Sequence, residues 1–166
     1  MIYLGLDQAL RCSGYSIFDD NKLKVWGTFE TNNTQEIEVR LFTIYKHLDK
    51  LYADYSFEHV FFEEVQKQVN VETFKRLCYV QAIVMIWCYK NNINFTILSP
   101  SHWRKIIKDK YGVSFGCKRE EQKQAALKFA EENYDSGNQE FTSDEADAIC
   151  IGAAGYIEYN KNRSAW

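Results

Sequence analysis

No apolar stretch in the chain reaches the length needed to span a membrane, and Met1 runs straight into an apolar segment with no basic leader or cleavage site. A cytosolic, unprocessed protein with no membrane partner is therefore expected. The five cysteines, at positions 12, 78, 88, 117 and 150, include no CxxC pair, and their odd number argues against a complete disulfide framework. Reduced, mostly buried thiols are expected instead. Repeats, low-complexity tracts and linkers are also missing, so one domain is expected over residues 1–166. A basic excess is absent too: the formal net charge is −3, which removes the global sign of a nucleic-acid binder.

What the chain does have is a 16% aromatic content, enough large apolar side chains to fill a sizeable core. It opens on Ile2-Tyr3-Leu4-Gly5-Leu6-Asp7, an apolar run too short for a stable helix, which reads as a buried strand ending on a carboxylate. An ionised Asp there is costly to bury unless something receives it. Tyr15-Ser16-Ile17-Phe18 and Leu23 to Phe29 then alternate about an acidic turn, giving an antiparallel three-strand meander. Asn32-Asn33-Thr34 offers caps for an amphipathic helix running to about Tyr55. His59-Val60-Phe61-Phe62-Glu63-Glu64 repeats the opening pattern of an apolar run closed by acid.

Val71 to Asn91 is apolar along most of its length and reads as a long buried helix. Asn94 to Leu98 makes a fifth strand, stopped by Ser99-Pro100, and helices are expected over 101–110, 119–134 and from Ser143 to about Tyr159. This order implies an α/β fold, a five-stranded mixed sheet with the antiparallel meander followed by parallel strands, flanked by helices on both faces. Acids at strand ends then lie at the edge where such folds place their sites.

Charge is unevenly spread. Between positions 104 and 128, Arg104, Lys105, Lys108, Lys110, Lys118, Arg119, Lys123 and Lys128 outnumber Asp109, Glu120 and Glu121. This block is either a solvated helix face or a phosphate-binding surface.

Thr142-Ser143-Asp144-Glu145 has the capping-box pattern, and Asp144 and Asp147, three residues apart, project from one face of the helix it starts. Small residues on the opposite face, among them Ala148, Ala154 and Gly155, allow close docking onto a sheet. Singly, these acids could be helix-dipole, surface or strand-end carboxylates. Together, two strand-end acids and a helical pair could form a cluster whose mutual repulsion calls for cations. Oxygen-only ligation selects a hard ion, Mg²⁺ with Mn²⁺ able to substitute. Two such ions about 4 Å apart would suit phosphodiester hydrolysis.

Leu4-Gly5-Leu6-Asp7 followed by Ser13-Gly14-Tyr15, then Phe62-Glu63-Glu64-Val65 and Asp144-Glu145-Ala146-Asp147-Ala148-Ile149, resemble in order and spacing the motifs of RuvC-type Holliday junction resolvases of the ribonuclease H superfamily. The resemblance runs from residue 1 to about 157, and Ser99 to Lys105 is similar to phage members. It implies a homodimeric endonuclease that resolves four-way junctions and leaves 5′-phosphate ends. It also implies metal ligation by Asp7, which would bridge both ions, Glu63, Asp144 and Asp147, with Glu64 as the alternative to Glu63. Lys123 resembles a basic residue on the penultimate helix that approaches the scissile phosphate, with Lys118 as the less favoured alternative. Arg104, Lys105, Lys118 and Arg119 would contact DNA, and the helix from Val71 is the candidate dimer element, with a monomer's core helix as the alternative. Two departures stand out. Gln8-Ala9 replaces the family's Pro-Gly, and Gln66, Lys67 and Gln68 follow the glutamates where the family often places an aromatic wedge.

Three other readings fit parts of this pattern. A ribonuclease H-like nuclease for forks, flaps or RNA/DNA hybrids would share the acids, and a non-catalytic junction-binding module would use them only as caps. A sugar-kinase or actin-like ATPase fragment also starts with a strand and Asp, but the second glycine-rich phosphate loop is missing.

Overall fold

The opening run forms β1 (Ile2–Asp7), which pairs antiparallel with β2 (Cys12–Asp19), and β2 pairs antiparallel with β3 (Lys22–Glu30). The computed structural model describes residues 1–163; the last three positions of the expected 1–166 domain lie outside the described residues. The β2–β3 connection turns through Asp20, whose φ of 52° places it in the left-handed region. Then follow α1 (Ile37–Tyr55), β4 (His59–Glu63), α2 (Val71–Lys90), β5 (Asn94–Leu98), α3 (Pro100–Tyr111), α4 (Arg119–Asn133) and α5 (Ser143–Arg163). The sheet order is β3-β2-β1-β4-β5, with β4 parallel to both β1 and β5. The expected mixed sheet is thus found, and its neighbouring parallel strands β1 and β4 end on Asp7 and Glu63.

Side-chain alternation assigns each face of the sheet its own core. Tyr3, Phe18 and Phe61 face Trp103, Phe129 and the small residues of α5. Leu4, Leu6, Ile17 and Phe62 face Ile44 and Leu48 of α1 and Val80, Val84 and Trp87 of α2. α5 docks closely on the sheet. A Cβ on Gly5 would come within 2.5 Å of the Ala148 carbonyl oxygen, and one on Gly14 within 1.9 Å of the Asp144 carbonyl oxygen. Ser16 Oγ, between them on the same face, donates to the Ala148 carbonyl at 2.8 Å.

Four local expectations are corrected. The N-cap of α1 is Glu36 and not Asn32 to Thr34; Asn32 instead accepts from the Thr34 N–H and hydroxyl, a local turn that competes with helix entry. β4 stops at Glu63, one residue early, and α5 continues to Arg163. The helix from Val71 is not buried all round. Only Val80, Val84, Trp87 and Cys88 are fully buried, because α2 packs on the sheet and α1 along one side. Tyr79, Ile86 and Tyr89 face outward, the last 85% exposed. Among the described residues, no helix is long and apolar enough to cross a membrane.

Candidate active site

β1 and β4 run parallel with Leu6 opposite Phe62, so the next residue on each strand, Asp7 and Glu63, emerges at the same end of the sheet. α5 starts over that end. Its entry is held by the capping box foreseen from sequence: the Thr142 N–H donates to Glu145 Oε2 at 2.7 Å and the Glu145 N–H to Thr142 Oγ1 at 3.3 Å. Because Gly14 lies opposite Asp7 in the β1–β2 register and carries no side chain, the first turn of α5 settles against β2. Asp144 and Asp147 thereby join Asp7 and Glu63 in one cleft of about 630 Å³.

The electrostatics of this cleft are those of anions held too close. Burial pushes the Asp7 carboxyl well above its usual range, and the charges of Asp147, Glu63 and Asp144 push it further, against a smaller opposing pull from Lys123. Asp147 is raised to about 7 by burial and by Glu63 and Asp144, with Arg104 and Lys123 opposing. Glu63 is raised by burial, partly offset by its hydrogen bond from Trp103 and by Arg104. Among the described residues, none of the four acids has a basic side chain within ion-pair distance. Nor do any three acidic, histidine or cysteine side chains close around a single point by themselves. The acids face one another across an open cleft and leave room for further ligands. An all-oxygen set of this kind, only partly offset by Lys123 and Arg104, fits a hard divalent ion such as Mg²⁺, which is usually held by one or two carboxylates together with water and phosphate oxygens.

The two glutamates are placed differently. Glu63 lines the cleft and accepts from Trp103 Nε1 at 2.6 Å, whereas Glu64 is exposed beyond the strand end. Lys123 lines the cleft, its Nζ donating to Ser143 Oγ at 3.3 Å. Arg104 and Arg119 line it as well. Lys105 lies instead in an adjoining groove of about 600 Å³, which it lines with Arg104 and Lys108. Lys118 is at the N-cap of α4 and lines neither. All five cysteines are free, Cys88 and Cys150 buried and Cys117 exposed. Burial and the neighbouring Asp144 push the Cys12 thiol up.

Sequence reasoning missed two residues at the acids. Trp103 is both buried, at 1% exposure, and the donor to Glu63. Gln8, known only as a departure in the loop, pairs with the Glu63 backbone. In each case the partner is distant along the chain, and no local pattern reports it.

A five-stranded mixed sheet whose adjacent parallel strands β1 and β4 end on Asp7 and Glu63, faced by a helix that carries two more acids, defines a nuclease of the ribonuclease H-like class. The sequence matches the family "Crossover junction endodeoxyribonuclease RuvC" over residues 3–152, so the chain belongs to the RuvC family. It is 30% identical to the RuvC of Rickettsia akari over 91% of this chain and 94% of that one. Its match to the RuvC of Alkaliphilus oremlandii is 31% identical and spans 55% of this chain and 58% of the relative. Among solved structures, T. thermophilus RuvC in complex with a Holliday junction substrate superposes with a TM-score of 0.74 at 12% identity, covering 96% of each chain.

Proposed function

We propose that this protein is a divalent-metal-dependent endonuclease that resolves four-way DNA junctions by paired incisions, working as a homodimer. The observation that carries the reading is the meeting of Asp7, Glu63, Asp144 and Asp147 in one cleft bordered by Lys123, Arg104 and Arg119. Family membership and the superposition with a junction-bound resolvase support the choice of substrate.

In this reading Asp7, Glu63, Asp144 and Asp147 would hold the divalent ions, Mg²⁺ with Mn²⁺ able to substitute. Divalent ions bound there would supply the chemistry of an activated water and of a stabilised leaving oxygen. The chain's own groups do the positioning. Trp103 fixes the carboxylate orientation of Glu63, and Ser143 holds Lys123 where its ammonium meets the scissile phosphate. Arg104 and Arg119 receive flanking phosphates in the cleft, and Lys105 and Lys108 continue the track along the neighbouring groove. Lys118, outside both, contributes long-range attraction only.

Two symmetric incisions need two centres. The outward apolar side chains of α1 and α2, Phe42 at 59% and Ile86 at 57% exposure among them, favour this face for the second copy. The reading implies the cytoplasm of a bacterial or phage-infected cell, where such DNA occurs.

The test compares cleavage of a mobile four-way junction, a fork and an RNA/DNA hybrid, in Mg²⁺ and in chelator, beside Asp7→Asn. Junction cutting that needs Mg²⁺ and is lost in D7N is expected. Cutting of the hybrid alone would overturn the substrate assignment, and chelator-independent junction binding with no cutting would make the protein a binding module.

A further inference from the structure

Asp7 and Glu63 stand on neighbouring strands, yet the ladder that fixes their spacing stops one step short of them, at Leu6 and Phe62. Past that point the backbone of Glu63 has no β1 main chain to pair with. The Gln8 side chain takes both of its polar groups: the Glu63 N–H donates to Gln8 Oε1 at 3.2 Å, and Gln8 Nε2 donates to the Glu63 carbonyl. A primary amide presents a donor and an acceptor side by side, as a peptide group does, so the side chain adds one more rung. At 8% exposure Gln8 is buried, and an amide in that position is costly to leave unpaired.

The same loop is tied on its other flank. Thr31 Oγ1 donates to the Leu10 carbonyl, and Arg40 donates to that carbonyl at 3.1 Å and to Thr31 Oγ1 at 2.9 Å. Arg40 is itself buried, at 7% exposure. The segment leaving Asp7 is therefore held at Leu10 by Thr31 and Arg40, and at Gln8 by β4, where the Gln8 amide ties the loop after Asp7 to the Glu63 backbone.

We propose that Gln8 is a positioning residue for the nuclease centre: its side-chain amide sets the spacing of Asp7 and Glu63, and through it the affinity for divalent cations. This rests on the reading of those two acids as cation ligands. A proline at this position has neither side-chain group and leaves the rung unmade. Residues that orient metal ligands from behind change affinity or activity about 10- to 100-fold when altered.

Gln8→Met keeps the length and unbranched shape of the side chain and removes both hydrogen bonds. Gln8→Glu keeps the acceptor for the Glu63 N–H, loses the donor and adds a negative charge. Both are compared with the wild type by calorimetric titration with Mn²⁺ in the absence of DNA, by thermal melting, and by steady-state cleavage of a four-way junction in Mg²⁺. In Q8M, Mn²⁺ affinity should fall by about tenfold or more, with kcat reduced and KM for the junction unchanged. Charge alone would tighten Mn²⁺ binding in Q8E, so weaker binding there as well marks a geometric cause. Wild-type Mn²⁺ affinity in a Q8M protein that merely melts earlier overturns the proposal, as does tighter binding in Q8E. If Q8M fails to fold, Q8E decides by the same titration. A wild type that binds Mn²⁺ but cuts no junction refutes the substrate reading and leaves the Gln8 comparison in force; a wild type that binds no Mn²⁺ overturns both.

Discussion

Trp103 Nε1 donates to Glu63 Oε2 at 2.6 Å, tying an α3 side chain from the core to the acid at the end of β4. A short hydrogen bond to a carboxylate favours its charged form and limits its rotation. Trp103→Phe keeps an aromatic ring in the core and removes the donor. Junction cleavage in Mg²⁺ is expected to slow by about 10- to 100-fold, and chemical denaturation should show a loss of about 1–3 kcal/mol from the smaller ring and the lost bond. An unchanged kcat in W103F would mean that Glu63 holds its place without the indole.

Asp7→Asn separates catalysis from stability. Burial and three acidic neighbours raise the Asp7 carboxyl well above its usual range, so replacing it with a neutral amide removes repulsion from the metal-free fold. The variant should lose junction cleavage entirely and melt about 2–4 °C higher than wild type in chelator, the shift that roughly 1 kcal/mol gives a chain of this size. Added Mg²⁺ should stabilise the wild type much more than D7N. Lower stability of D7N in chelator would contradict the repulsion.

Gly14→Ala tests how the acid pair reaches the sheet. The added methyl group would lie 1.9 Å from the backbone carbonyl of Asp144, and a backbone atom cannot swing aside as a flexible side chain can. α5 must lift at the turn that carries both Asp144 and Asp147. Destabilisation beyond the usual overpacking cost of about 1–3 kcal/mol is expected, with loss of cleavage in whatever protein still folds. Full activity and an unchanged melting temperature in G14A would show that the helix entry has slack.

What could be read from sequence was what repeats locally. The alternation in β2 and β3, the apolar runs ending at Asp7 and Glu63, and the Thr142–Glu145 box each announce themselves within a few residues, and together they imposed the sheet and brought the four acids to one end. The start of α1 was missed because Asn32 and Thr34 hydrogen-bond each other and spend their capping potential on a turn. The burial of α2 was overestimated because apolar content does not say how many partners a helix meets; Ile86 and Tyr89 look outward. Gln8 and Trp103 reach Glu63 from positions 55 and 40 residues away, and contacts over such separations leave no period in the chain.

The outward face of α1 and α2 gives a prediction on assembly. Phe42 and Ile86 are more than half exposed, and Tyr79 at 44% adds to the apolar surface. Ile86→Glu places a charge on that face without touching either core. Sedimentation velocity should show a wild-type dimer and an I86E monomer, with Mn²⁺ binding per chain unchanged and paired incision of the junction replaced by single nicks. A dimer that persists in I86E would move the interface to another face.

Asp147 sets the pH response of the metal-free protein. Its carboxyl titrates near 3.8 when unfolded and at about 7 in the fold, so between those values the native state binds more protons than the unfolded one. Stability must then fall as pH rises through that window, and the contribution present below pH 4 is gone above about 7. Asp7 and Glu63, raised in the same direction, extend the effect. Urea denaturation in chelator should therefore give a lower unfolding free energy at pH 7.5 than at pH 5.5, the reverse of a protein whose acids are paired with basic groups. Mg²⁺ competes for the same carboxylates, so its stabilising effect should grow as pH rises and nearly vanish at pH 5.5. Asp147→Asn should flatten the slope in chelator. Stability that rises with pH in the metal-free wild type would mean that the acids of the cleft find compensating charge within the protein, and the case for cations there would fail.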